Sequence, residues 1–109
     1  HPKVRLVLKK FLRKNKNKKF VILDIPLILE NKLNKKSDIL IFVQSKKSEI
    51  NKRLKKRKNF NKKLLRRFKE IQLPLELKKK KSKFIIKNNF TYNSVNKSVN
   101  YILKKLKND

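Results

Sequence analysis

Two short apolar runs constrain this chain more than any other feature. They are Phe20-Val-Ile-Leu-Asp-Ile-Pro-Leu-Ile-Leu-Glu30 and Asp38-Ile-Leu-Ile-Phe-Val43, and a basic stretch separates them. Both are rich in β-branched residues and sit between Lys/Asn-rich flanks. Continuous apolar runs of this length predict two buried parallel strands of an α/β domain, at about 20–25 and 38–44. Asp24 and Pro26 end the first run, with Pro26 shaping the strand exit. Ligands bind at the carboxyl ends of strands in open parallel sheets, so this strand end marks a candidate ligand edge.

Helical patterns surround the two runs. Val4, Val7, Leu8, Phe11 and Leu12 fall at helical spacing, with Pro2 in the first turn and a solvated turn at 15–19. Residues 26–37 read as a loop or short helix anchored by Leu27, Leu29 and Leu33. Ser45 suits the N-cap of a helix over about 46–57, whose only apolar residues are Ile50 and Leu54. A helix this polar protrudes or covers a ligand. Leu64, Leu65, Phe68 and Ile71 mark a second helix over about 61–72, and the two together read as a basic helical hairpin. A short helix over 75–81, a third strand at Phe84-Ile85-Ile86, a turn at Asn88-Asn89 and an amphipathic helix from about Ser94 complete the chain. Strands interleaved with helices imply a parallel sheet.

The 109-residue length fits one small domain. Its 35 Lys and Arg stand against 7 acids, a net charge of +28. That balance points to a polyanionic partner: nucleic acid, an anionic membrane or phosphorylated small molecules. A/T-rich coding would also favour Lys, Asn, Ile and Phe over the absent Gly and Ala, so the bulk charge carries little specific information. The absence of Cys excludes disulfides and thiolate metal sites, and a single His with few carboxylates leads us to expect no protein metal site. No apolar run approaches the roughly 18 residues of a membrane span, and no small-residue cleavage site follows the N-terminus. A cytoplasmic protein without a membrane partner is expected. The chain has neither Met nor Gly. Tight turns and phosphate loops need positive φ or close backbone approach, so a glycine-bearing part is expected upstream of His1.

A set of residues in this order resembles one family. It runs from His1-Pro2 before a helix, through Asp24-Ile-Pro-Leu-Ile-Leu-Glu30-Asn31 and Ser37-Asp38, to Ile50-Asn-Lys-Arg53-Leu-Lys-Lys-Arg57. Gln72, Lys78 and Phe84-Ile-Ile-Lys-Asn88-Asn89 complete it. Order and spacing resemble the C-terminal portion of dephospho-coenzyme A kinases. The resemblance implies an incomplete P-loop kinase-like α/β fold: a parallel sheet, flanking helices and a basic helical lid hairpin. It divides residues 1–109 into the end of a helical substrate-binding region (1–19), core strands (20–45), the lid (46–72), and a core strand with the C-terminal helix (73–109). The implied reaction is ATP-dependent phosphorylation of the ribose 3′-hydroxyl of dephospho-CoA, giving CoA and ADP in the last step of coenzyme A synthesis, with Mg²⁺ assisting. The glycine-rich P-loop and an acid serving the acceptor hydroxyl are absent from this chain, so residues 1–109 alone are expected to be inactive. Two further departures concern the nucleotide side. The family commonly has Ala-Asp where this chain has Ser82-Lys83, and tends to place Gly where it has Phe90.

Phosphoryl transfer needs positioning and charge neutralisation more than covalent help. Arg53 and Arg57 stand at i and i+4, and forked guanidiniums suit bidentate phosphate contact. The resemblance makes them the catalytic lid arginines; otherwise they are two of many solvated cations. It assigns Asn88, Asn89 and Lys78 to the nucleotide, and His1, Asp24 and Glu30 to the substrate side. Asp24 could also hold a Mg²⁺-bound water or simply cap a loop. Glu30 could be a surface carboxylate paired with Lys, Lys78 a solvated cation, and the two Asn ordinary turn residues. Phe90 and Tyr92 could stack on a base or sit at the core rim. Two other readings compete. A basic nucleic-acid-binding module would use the 46–72 hairpin, but its basic runs lack interleaved aromatics. Another P-loop nucleoside or nucleotide kinase would share the lid logic with a different acceptor.

Overall fold

The computed structural model describes residues 2–25 and 27–107. His1 and Pro26, and the roles expected of them, lie outside the described residues. The element order is α1 (Pro2–Lys14), β1 (Ile41–Gln44), α2 (Lys47–Lys55), α3 (Lys62–Ile71), α4 (Leu75–Lys81), β2 (Phe84–Lys87) and α5 (Tyr92–Lys107). The chain divides into two compact units, His1–Lys36 and Ser37–Asp109.

In the first unit, α1 forms over the expected apolar periodicity. It stops where Asn15 returns both its backbone N–H (3.1 Å) and its side-chain amide (2.9 Å) to the Phe11 carbonyl. The expected strand at 20–25 is absent; the segment belongs to no helix or strand. A strand needs a neighbour to pair its backbone groups, and among the described residues none pairs with this one. Its apolar content is used differently. Ile22, Leu23 and Ile25 face Val4, Val7, Leu8 and Phe11 of α1 across an open apolar trough. Residues 27–33 then make a single helical turn. It closes with Leu33 N–H to the Ile28 carbonyl and Lys32 N–H to the Leu29 carbonyl, both about the left-handed Lys32 (φ 51°). That pairing is the usual helix stop built around Gly, made here with Lys because the chain has no Gly.

The second unit is an α/β arrangement: a small parallel sheet with flanking helices. β1 and β2 pair in parallel, Ile41 with Phe84 through Gln44 with Lys87. Helices α2 to α4 form the crossover that parallel strands require. β2 alternates half-buried Phe84 and Ile86 with exposed Ile85 and Lys87, and α5 packs against it. The expectation of fully buried strands is not met: Val43 is 56 % exposed. Parallel sheets are normally covered on both faces, and here the extensive packing on the sheet is that of α5 alone.

Among the described residues Ile102, 4 % exposed, is the one buried apolar side chain. It lies on α5, the helix that packs on β2. Ile102→Ala should therefore lower the unfolding free energy of the intact protein by about 2 kcal/mol, at the low end for such a truncation because a shallow layer can collapse into the gap. Urea denaturation with an unchanged slope measures it.

The basic helices α2 and α3 make little contact with each other or with the sheet. Helix α2 starts one residue later than expected, so Lys46 rather than Ser45 occupies the N-cap, and no side chain caps it. It also ends earlier. The Lys56 and Arg57 N–H groups turn back to Arg53 and Leu54 in a tightened last turn, leaving Arg57 beyond the helix. Asn61 caps α3, its side-chain oxygen accepting from the N–H groups of Lys63 (2.9 Å) and Leu64 (3.4 Å).

Candidate functional site

The candidate site forms where two segments of the Ser37–Asp109 unit meet at the carboxyl ends of the strands. One is α2, which follows β1; the other is the turn from β2 into α5. This is the edge at which parallel sheets bind ligands.

The turn is held from within. Asn88 N–H continues the ladder to the Gln44 carbonyl at 2.8 Å. Asn88 Oδ1 accepts from Phe90 N–H (2.8 Å), and Asn89 Oδ1 accepts from Thr91 N–H (3.1 Å) and from the Thr91 hydroxyl. Two hydroxyls of α5 complete the set: Ser94 Oγ accepts from Asn89 N–H and Ser98 Oγ from Lys87 N–H, each at 3.3 Å. Thr91 Oγ1 caps α5 by accepting from Ser94 N–H at 3.4 Å. Each backbone N–H from Asn88 to Thr91 thus has an acceptor. Both Asn side chains spend their oxygens on the turn, and each amide retains N–H donors with which to meet a ligand.

Phe90 sits in this turn with φ 63°. Left-handed backbone costs a bulky L-residue about 1–2 kcal/mol relative to the right-handed region. The Arg53 guanidinium lies over its ring, 3.8 Å from the centroid. Arg53 Nε is also 3.9 Å from Glu49 Oε2, one turn earlier on α2, with both side chains about half exposed. Such an exposed pair contributes little, and the ring contact is the closer of the two.

The other expected site residues are dispersed. Arg57 is exposed in the turn after α2, so the expected shared helical face with Arg53 does not form. Lys78 is half-buried on α4, where its carbonyl accepts from the Ser82 hydroxyl at 2.8 Å. Asp24 and Glu30 belong to the His1–Lys36 unit. Asp24 is exposed on the extended segment, not at the end of a sheet strand, because that strand does not form. Glu30 is half-buried in the turn after it. Among the described residues no group of three or more His, Cys, Asp or Glu is placed to hold a metal ion. No described helix is long and apolar enough to cross a membrane.

The sequence reading missed Phe90 as a partner of Arg53. No local pattern announces it, since the two residues lie on separate elements brought together by the β1–β2 pairing. Thr91 as the α5 cap was legible in principle, as a threonine directly ahead of the amphipathic run.

Comparison with known proteins places these features in context. A family model described as "CoaE: Dephospho-CoA kinase" matches residues 1–94. The dephospho-CoA kinase of Wolbachia pipientis wMel is 36 % identical over 88 residues, 79 % of this chain and 45 % of that protein. The dephospho-CoA kinase of Wolbachia sp. subsp. Brugia malayi (strain TRS) is 34 % identical over 88 residues, with the same shares covered. The match thus covers less than half the length of these curated relatives. No solved structure matches.

Proposed function

The chain belongs to the dephospho-CoA kinase family, and on that premise we propose that the intact protein transfers the γ-phosphate of ATP to the ribose 3′-hydroxyl of dephospho-CoA, yielding CoA and ADP. The observation that carries the reading is the meeting of Arg53 with the Asn88–Phe90 turn. The resemblance assigns Arg53 to the lid and Asn88 and Asn89 to the nucleotide, and the contact of Arg53 with Phe90 supports reading the two segments together. The fold in this reading is that of a P-loop kinase, with a glycine-rich loop contributing the backbone donors that cradle the phosphates.

The residues then divide the work. Asn88 and Asn89 offer amide N–H donors to the adenine edge while their oxygens hold the turn. Arg53 presents N–H groups to the phosphates as charge redistributes in a loose transition state. Arg57 and Lys78 contribute further positive charge to the phosphates in this reading. Asp24, Glu30 and His1 serve the acceptor side. Mg²⁺ ordinarily binds such a site through substrate phosphates, waters and one or two carboxylates. The described carboxylates make no cage for it.

The test uses the intact protein with ATP and dephospho-CoA. ADP release should require dephospho-CoA, and the product should carry its new phosphate on the 3′-hydroxyl. Release of ADP without dephospho-CoA, or faster transfer to a nucleoside or nucleoside monophosphate, would overturn the assignment.

A further inference from the structure

The family resemblance places Gly at the position of Phe90, and the backbone there still has the left-handed conformation that glycine adopts without strain. A phenylalanine in that conformation must be held by its surroundings. Its amide is held by Asn88 Oδ1 at 2.8 Å, and its ring lies under the Arg53 guanidinium at 3.8 Å. We infer that Phe90 is a positioning residue for phosphate: its ring fixes the Arg53 guanidinium by the face so that the N–H edge is directed to the phosphates of a bound nucleoside triphosphate. The inference rests on the proposed role of Arg53 in phosphoryl transfer.

Two properties of guanidinium make this work. It is planar, so stacking occupies a face and leaves the five in-plane N–H donors available. It is also attached by a long side chain whose free motion would otherwise be lost on binding. An arginine already fixed on a ring loses less freedom when it meets phosphate. Helix α2 packs little against the rest of the unit, so a contact from outside the helix is what can fix Arg53 before nucleotide arrives. Glu49, the charged partner on the same helix, travels with α2 and cannot do so.

The experiment compares Phe90→Leu, Phe90→Gly and Phe90→Trp in the intact protein. The Gly variant suits the left-handed backbone, so its folding is not in question, yet it has no ring. Loss of the ring in the Leu or Gly variant should raise the KM for ATP about two- to fivefold, the range of an exposed cation–π contact, and leave the KM for dephospho-CoA unchanged. Phe90→Trp should restore ATP affinity. In NMR spectra, Arg53 side-chain protons should carry an upfield ring-current shift in the native protein and the Trp variant, and lose it with Leu or Gly. In an Arg53→Gln background, Phe90→Leu should cause no further loss in a direct ATP titration. Equal ATP affinity for the Leu and Trp variants, absence of the ring-current shift, or an undiminished Phe90→Leu effect in the Arg53→Gln background would each overturn the inference. If the intact protein fails to phosphorylate dephospho-CoA, the functional reading falls, and the ring-current shift and ATP titration still decide the role of Phe90.

Discussion

Arg53→Gln in the intact protein should lower kcat for ATP-dependent transfer to dephospho-CoA by about a hundredfold or more, the scale of losing a preorganised donor at developing negative charge. The glutamine keeps much of the side-chain length and its helix propensity, so α2 persists and the loss reports charge and donor geometry. Arg53→Lys should restore little. A lysine retains the charge, but it lacks the planar fork that stacks on Phe90 while donating from its edge. Arg57→Gln should cost distinctly less, because Arg57 stands in an exposed turn beyond the helix and shares no helical face with Arg53. Steady-state kinetics with both substrates saturating separates the three. A loss below tenfold for Arg53→Gln would place the transition-state contact on another cation.

The contrast between the two arginines also shows where sequence reasoning works and where it stops. The elements that local periodicity announces are in place: α1 over its apolar spacing, α4 after Pro74, β2 at the Phe84 run, and α5, which begins two residues before the expected Ser94. Strand β1 forms over Ile41–Gln44, the later part of the run expected at 38–44, and the break between α2 and α3 follows the pattern. What periodicity reports is a tendency to be covered, not the identity of the cover. Residues 20–25 have the composition of a strand, yet Ile22, Leu23 and Ile25 only line an open trough beside α1, because pairing depends on a neighbour that composition cannot name. Boundaries fail for a smaller reason. Moving the start of α2 by one residue exchanges Ser45, which could accept a capping bond, for Lys46, which cannot. Moving its end to Lys55 separates Arg57 from the face that helical spacing assigned to it.

Sequence names candidate site residues and no arrangement for them. Asn88 and Asn89 stood out as a turn after a strand, and the structure adds that their oxygens are engaged in making it. Phe90 reads from sequence as an aromatic that could stack on a base or sit at the core rim. Its contact with Arg53 depends on positive φ and on a partner from helix α2, and neither property has a signature in one sequence. The lack of Gly was informative in a different way. It moved every described left-handed position onto a side chain, at Leu27, Lys32 and Phe90. At Phe90 that side chain acquired a contact that glycine could not make.

The largest effect expected is complete loss: the 109-residue chain, expressed by itself, should transfer no phosphate from ATP to dephospho-CoA. The phosphate cradle proposed for the intact protein is built from backbone N–H groups that approach the ligand closely, which glycine permits and this chain does not contain. The N–H groups of the Asn88–Thr91 turn cannot substitute, because each already has an acceptor: the Gln44 carbonyl on β1 for Asn88, Ser94 Oγ on α5 for Asn89, and the Asn88 and Asn89 side chains for Phe90 and Thr91. The chain alone should also be poorly consolidated. Ile22 is 86 % exposed on the unpaired segment, and a single described side chain is buried. An environment-sensitive apolar dye should therefore bind the isolated chain, and amides at 20–25 should exchange at nearly unprotected rates. Activity is measured as dephospho-CoA-dependent ADP release against a catalyst-free blank. Turnover above that blank would mean that Arg53, Arg57 and Lys78 hold the phosphates through side chains alone. The dependence on glycine-loop amides would then be wrong for this member of the family.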